Sequence, residues 1–185
     1  TSFTRIVVVF HFLRTALGTQ TTPPNQVIVG LALFITIAIM SPVFTEVNTK
    51  AIKPYTAGKI KQEQAIEKGL SPLREFMLKQ TREKDLKLFM DLNKKSADDI
   101  KDYDDIPITI VIPAFIISEL RAAFIIGFLI YLPFIVIDMV VASTLMSMGM
   151  MMLPPTTISL PFKLLLFVLA DGWNLVIGQL VNSFN

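Results

Sequence analysis

Residues 117–161 read ISELRAAFIIGFLIYLPFIVIDMVVASTLMSMGMMMLPPTTISLP, and this stretch decides the fold class. Within it, residues 122–153 hold one charged side chain, Asp138, and one proline, Pro133. A helix crosses the roughly 30 Å apolar core of a bilayer with about 20 apolar residues, so this run is longer than one span. We predict an apolar helix that is kinked at Pro133 and turns at the methionine-rich segment that follows.

The charged residues of the chain are concentrated in one region. Of all residues 52% are hydrophobic and 17% charged, whereas soluble domains average about 25% charged residues. Between Glu46 and Asp105 lie 25 of the 32 charged residues. This distribution predicts a membrane protein with one water-facing insert. The net charge of +2 comes from interleaved bases and acids, which excludes a nucleic-acid footprint, and the absence of cysteine excludes disulfides and thiolate metal sites.

Apolar segments flank the insert on both sides. Residues 3–17 and 27–44 form the first pair, joined by an uncharged turn rich in threonine and proline. Residues 158–181 form the last apolar span, which contains Lys163 and Asp171. We therefore predict an all-α integral membrane protein of two kinked helical hairpins with a small polar helical insert between them. The predicted divisions are residues 1–44, 45–107 and 108–185.

Within the insert, residues 59–68 predict a short polar helix that ends at Gly69. A second helix is predicted to begin at Ser71-Pro72, where the serine is a favourable N-cap and the proline suits a first helical turn. The insert has few large apolar side chains, so we expect its neighbours to order it.

Three charged residues lie within the apolar segments and are candidate functional residues: Asp138, Lys163 and Asp171. Asp138 and Lys163 are each about a dozen residues from the methionine-rich turn, which puts them at a similar depth and allows pairing within a chain or between subunits. An unpaired charge there costs a few kcal/mol or more. The two residues could form a structural ion pair that fixes the register of the helices, or they could be part of a proton or ion relay. We favour the structural ion pair because a relay needs further titratable side chains, and none is visible in the sequence.

The methionine cluster at Met148, Met150, Met151 and Met152 is the sharpest feature. Methionine is unbranched and polarisable, so it fills irregular gaps and repacks around different partners. Two interpretations remain open. The side chains are packing filler, or loops from several subunits form a soft apolar seal around a passing chain.

The sequence carries no sign of an enzyme or a metal site. His11 is the only histidine, and it has no cysteine or second histidine as a co-ligand. We interpret it as a packing or interface residue. No serine–histidine–aspartate arrangement, glycine-rich phosphate loop or paired-carboxylate motif is present, and no cofactor is predicted.

The chain contains several long motifs: TSFTRIVVVFHFLRTALGT, PPNQVIVGLALF, SPLREFMLKQTREKDL, IVIPAFIISEL, AFIIGFLIYLPFIVIDMVVAS, MSMGMMMLPP and ISLPFKLLLFVLADGW. With these motifs the whole chain resembles the FliP/SctR family, the P-type export-gate subunits of the bacterial flagellar type III secretion system. The motif SPLREFMLKQTRE indicates the flagellar branch of the family rather than the virulence branch. Mature members of the family begin after a cleaved signal peptide, which suits a chain that starts at Thr1-Ser2.

The resemblance implies a core subunit of an inner-membrane gate in the flagellar basal body. About five copies would assemble with the Q-type and R-type subunits, and the B-type switch subunit is a further expected partner. The insert would face the periplasm. The family's methionine gasket matches Met150, Met151 and Met152, and its intramembrane charges match Glu119, Asp138 and Lys163. The apolar hairpins need not lie across the bilayer, because mutual packing in the family can lift them out of it.

The leading hypothesis is therefore a pore and seal for unfolded export substrates. The alternative is a small ion-coupled transporter that uses Asp138 and Lys163 as its ion site. A transporter would be supported by inverted repeats, and none is detectable between residues 3–44 and 108–181. A third possibility is a purely structural membrane scaffold.

Overall fold

The structure of the chain, a computed structural model, describes residues 1–93, 106–150 and 152–184. Those residues form helices and connecting turns, with no strand among them, which confirms the predicted all-α membrane fold class. The pairing of apolar segments into hairpins stays a prediction. In chain order the elements are α1 (Phe3–Leu17), α2 (Asn25–Val47), a π-helical turn (Asn48–Ile52), α3 (Lys53–Thr56), α4 (Gln62–Gln80), α5 (Glu83–Leu92), α6 (Ile108–Ser147), α7 (Pro155–Leu169) and α8 (Gly172–Asn182).

Two helical stretches in the described residues are long and apolar enough to cross a membrane. One is Asn25–Thr56, which joins α2 to α3 through the π-helical turn, and the other is α6. Helix α6 continues for 40 residues and passes through Pro113 and Pro133 without a break in its helical assignment. A proline inside such a helix removes one backbone hydrogen bond, which membrane helices tolerate when neighbouring groups satisfy the freed carbonyl.

The last apolar segment is broken, whereas the sequence predicts one span over residues 158–181. Helices α7 and α8 meet at an angle of 64°. Asp171 lies at the break with φ +49°, in the left-handed region that aspartate tolerates better than most residues, and its carboxylate accepts a hydrogen bond from Asn174 at 3.1 Å. Gly172 follows, where a Cβ atom would collide with the ring of Phe167. The left-handed backbone at Asp171 interrupts the helix, and glycine at position 172 leaves room for the ring of Phe167 beside the break.

Helix α4 also differs from the prediction, because it runs through Gly69 and Pro72 instead of ending and restarting there. Gly69 lies where α4 packs against the π-helical turn. A Cβ atom at Gly69 would be 3.4 Å from the Cβ of Ala51 and 3.9 Å from Cγ1 of Val47. The glycine therefore allows close packing of two helices, and the prediction that it ends a helix was wrong.

The described chain divides into two compact units. Unit 1 comprises residues 1–4 and 34–122, and unit 2 comprises residues 5–33 and 123–185. The predicted division into residues 1–44, 45–107 and 108–185 follows changes in hydropathy and stays a prediction about solvent regimes.

The core of unit 1 is formed where the insert meets the beginning of α6. Phe76 of α4 and Phe115 of α6 make an edge-to-face contact with ring centroids 6.3 Å apart. The insert has few large apolar side chains of its own, and helix α6 supplies the rest of its core. The buried cluster contains Leu86, Met90, Ile106, Ile110, Val111 and Ala114, with Met77, Leu78 and Phe89 packed against it.

The core of unit 2 is formed around α1. One face of α1 is buried at helical spacing, with Ile6, Val9, Phe10 and Leu13 no more than 1% exposed. The ring of Phe10 contacts Trp173 edge to face. Burial of such side chains stabilises a fold by roughly 1.5–3 kcal/mol each. A second part of this core contains Leu13, Ala16, Leu17, Phe134 and Phe167.

Candidate functional site

The methionine turn, residues 148–152, joins α6 to α7 in unit 2. The N–H of Gly149 donates to the carbonyl of Met146 at 3.1 Å, and the N–H of Met150 donates to that of Leu145 at 3.0 Å. This pair of bonds is the Schellman pattern, and it needs a left-handed residue that glycine provides, with φ +77° at Gly149. Two prolines follow, and Pro155 is the first residue of α7. The turn thus begins at a glycine cap and ends at a proline pair.

The methionine side chains of the turn point away from the chain. Met148 is 61% exposed, Met150 46% and Met152 98%. Met151, the remaining member of the predicted set, lies outside the described residues. Because Met152 is almost fully exposed, it fills no gap within this chain. The filler interpretation would therefore require a partner that packs on the turn.

Asp138 and Lys163 face each other within the chain. Lys163 Nζ lies 2.6 Å from Asp138 Oδ2 and donates a second hydrogen bond to the backbone carbonyl of Ala16 at 3.1 Å. The hydroxyl of Ser159 donates to the other carboxylate oxygen, Asp138 Oδ1, at 2.5 Å. Ser159 and Lys163 are four residues apart on α7 and so share one helix face. We name these four residues the Asp138–Lys163 network.

The network connects three helices of unit 2: α1 through Ala16, α6 through Asp138 and α7 through Lys163 and Ser159. Lys163 is 3% exposed, so its ammonium group is held out of water by this network. The Asp138 side chain is 29% exposed, so the buried partner is Lys163, and removal of Asp138 would cost about 3–5 kcal/mol because the buried ammonium would be left without its counter-charge. The two arms that leave the methionine turn are therefore fixed to each other by charge.

Glu119 belongs to unit 1 and is completely buried, at 0% exposure. Arg121, two positions further on α6, is exposed, so the two side chains lie on different sides of the helix. Asp138 and Lys163 belong to unit 2.

The described residues contain no group of three or more histidine, aspartate or glutamate side chains arranged to hold a metal ion.

A polar cluster in unit 1, which we call the Asp85 clamp, was missed in the sequence. The guanidinium of Arg82 donates to both oxygens of Asp85 at 2.8 Å. Ser118 of α6 links the pair to the other helix: its hydroxyl donates to Asp85 Oδ2 at 2.6 Å and accepts from the backbone N–H of Arg82 at 3.1 Å. Asp85 is 6% exposed and Ser118 is 4% exposed. The clamp holds the first turn of α5 on α6.

The clamp also sets the ionisation of Asp85. Burial acts to raise the pKa of Asp85, but the hydrogen bonds from Ser118 and Arg82 and the charge of Arg82 together hold that pKa below its ordinary value. The Arg82–Asp85 spacing of three residues could have signalled the ion pair in the sequence. Nothing in the sequence pairs either residue with Ser118.

Comparison with known proteins gives a consistent result along the whole chain. The model of the FliP family matches residues 1–180. A flagellar biosynthetic protein FliP of Bacillus subtilis is 58% identical over 184 residues, covering 100% of this chain and 82% of the relative. The FliP of Pectobacterium carotovorum is 55% identical and that of Aquifex aeolicus 50% identical, each over 100% of this chain and over 70% and 77% of the relative.

Proposed function

This chain belongs to the FliP family, and from that premise we propose that it is a pore-forming subunit of the flagellar protein export gate. It is a component of the flagellar export apparatus with apolar helices suited to the inner membrane, and its family is structural and not enzymatic. In the proposed role, the methionine turn seals a conduit through which unfolded export substrates pass.

The observation that carries the proposal is the exposure of the methionine turn. An apolar side chain that is 98% exposed, as Met152 is, loses hydrophobic stabilisation unless another surface covers it. Turns from several subunits arranged around an axis would cover one another. Because thioether side chains are flexible and polarisable, such a ring could close when empty and deform around substrates of different sequence.

An apolar ring also explains how a wide conduit could hold back small ions. A hydrophobic constriction excludes water when it is narrow enough to dewet, and ions cannot cross without their hydration shells. To form such a constriction, the methionine turn must be held in a fixed position. The Schellman cap at Gly149 and the proline pair would fix the ends of α6 and α7, and the Asp138–Lys163 network would join the two helices further from the turn.

The expected partners follow from the apolar surface of the chain and from its family. In the most apolar 18-residue stretch of α6, 11% of the residues are buried, so most of this surface is available to lipid or to other subunits. We propose that it packs against further copies of the chain, about five in all, and against the Q-type, R-type and B-type subunits. The charged insert would face the periplasm.

The alternative function, an ion-coupled transporter, would use Asp138 and Lys163 as its ion site. Such a site must exchange an ion with solution during each cycle. Both oxygens of Asp138 are engaged by Lys163 and Ser159, and Lys163 has a second acceptor in Ala16. These contacts favour a structural role for the pair, and the seal remains the leading proposal.

The proposal is tested by measuring small-ion leak and substrate export in cells that carry the assembled gate. Met150, Met151 and Met152 are all changed to alanine in the test variant. In the matched control, Met139 and Met146, which are 64% and 60% exposed on α6, are changed instead. We expect leak in the test variant alone, at equal amounts of assembled gate. A tight membrane in the test variant, or an equal leak in both variants, would contradict the seal.

A further inference from the structure

A polar cleft of about 510 Å³ lies in unit 2, where the end of α1 meets the beginning of α7. Arg14, His11 and Gln20 line it on one side, and Thr156, Thr157 and Leu160 line it on the other. The cleft holds one formally charged side chain, Arg14, and no carboxylate lines it. The proposed export function makes no use of this site.

The guanidinium group of Arg14 is oriented by hydrogen bonds to neutral groups. Its guanidinium donates to Asn25 Oδ1 at 2.5 Å and to the backbone carbonyl of Pro23 at 3.5 Å, and its third contact is to His11 Nδ1 at 3.3 Å. None of the ion pairs in the described part of the chain includes Arg14. The guanidinium is therefore oriented while its charge is uncompensated, which favours an anionic ligand.

The other polar groups of the cleft are donors suited to the same ligand. Because His11 Nδ1 faces an arginine N–H, it acts as an acceptor, which assigns the proton of the neutral ring to Nε2. The hydroxyls of Thr156 and Thr157 are exposed at the first turn of α7. Arginine, hydroxyl and imidazole donors together match the oxygens of a phosphate group.

The cleft continues into an apolar surface along α7. Thr157, Leu160, Leu164 and Val168 follow one another at spacings of three and four residues and so share one helix face. Leu164 is 39% exposed and Val168 is 73% exposed. A ligand with a phosphate at one end and a hydrocarbon chain at the other would satisfy both parts of this surface. Free phosphate would satisfy the cleft alone.

We propose that the cleft binds the phosphate of an anionic phospholipid, with an acyl chain of the lipid lying along the Leu164–Val168 face of α7. Basic pockets between membrane helices are one means by which membrane proteins bind anionic lipid headgroups. The lipid contacts Thr156 and Thr157, which follow closely after Met152, and so it supports the end of the methionine turn at α7.

The test is a lipid titration of the purified, assembled export gate in neutral detergent, followed by native mass spectrometry. The probes are phosphatidylglycerol, phosphatidylcholine with the same acyl chains, and inorganic phosphate as a competitor. The variants are Arg14→Gln and Thr157→Val. The matched control is Lys59→Gln, which removes one charge from an exposed position in the insert.

We expect phosphatidylglycerol to bind saturably to the wild type and to Lys59→Gln, and roughly tenfold more weakly to Arg14→Gln, the size of one lost charge-assisted hydrogen bond. Thr157→Val should weaken it about threefold, the size of one lost neutral hydrogen bond. Unchanged affinity in Arg14→Gln, or equal affinity for phosphatidylcholine, would overturn the site. If Arg14→Gln fails to assemble, unchanged affinity in Thr157→Val has the same meaning. Inorganic phosphate that binds as tightly as the lipid would show that the ligand is a free anion and overturn the lipid proposal.

Discussion

The change Ser118→Ala should release the first turn of α5 from α6. The Ser118 hydroxyl makes two hydrogen bonds in the Asp85 clamp, one to a buried carboxylate and one from the backbone N–H of Arg82. A hydrogen bond to a charged group contributes about 1.5–3 kcal/mol and a neutral one about 0.5–1.5 kcal/mol. Alanine keeps the packing volume almost unchanged. We therefore expect the local opening free energy of α5 to fall by about 2 kcal/mol at least, given the lower ends of these ranges.

Amide hydrogen exchange of the purified protein measures that opening directly. A loss of about 2 kcal/mol corresponds to roughly thirtyfold faster exchange for the α5 amides, since each 1.4 kcal/mol is a factor of ten. The matched control is Ser71→Ala, because Ser71 is an exposed serine on α4. Exchange in α5 that is the same for Ser118→Ala and Ser71→Ala would refute the conclusion that the Ser118 hydroxyl holds the insert helix.

Three further predictions concern the ionisation of the clamp, the buried ion pair and the methionine turn. Because the pKa of Asp85 is lowered in the folded protein, the contribution of its carboxylate to the free energy of unfolding should be constant above about pH 4 and lost as the pH falls through the lowered pKa. Acid unfolding followed by circular dichroism should show this decrease in stability for the wild type and not for Asp85→Asn. Asp138→Ala should destabilise the protein by about 3–5 kcal/mol, because it leaves the buried Lys163 ammonium without its counter-charge, and the double change Asp138→Leu with Lys163→Met should recover most of that loss in denaturant unfolding. A double variant as unstable as Asp138→Ala would contradict the pairing. Gly149→Ala places a Cβ in the left-handed region and should cost about 1–2 kcal/mol in the same assay, whereas no loss would contradict the glycine cap.

The membrane fold class could be predicted because hydropathy and charge are properties of whole segments. A stretch of 32 residues with a single charge, Asp138, can be read as membrane-compatible helix without knowledge of any neighbour. The spacing of Asp138 and Lys163 about the methionine turn also predicted that they could approach each other. The structure places them 2.6 Å apart within the chain.

Tertiary contacts account for the failures at Gly69 and at the Asp85–Ser118 bond, and a local backbone conformation accounts for the failure at Asp171. Gly69 was predicted to end a helix, but it lies where α4 packs closely on Ala51. Asp171 was placed inside a span, although its left-handed backbone breaks the helix there. The Asp85–Ser118 bond joins residues 33 positions apart, and no periodicity of a single sequence reports such a contact.

The measurement that tests the export proposal most directly is crosslinking of a substrate arrested in transit. The chain contains no cysteine, so Met152→Cys introduces a single thiol into this subunit at a position that is 98% exposed in the turn. Met139→Cys, at a 64% exposed position on α6, is the control. If the turn surrounds the conduit, an arrested export substrate carrying one cysteine should crosslink to position 152 and not to position 139. Crosslinking at position 139 alone, or at neither position while the substrate is demonstrably arrested in the gate, would contradict the proposal.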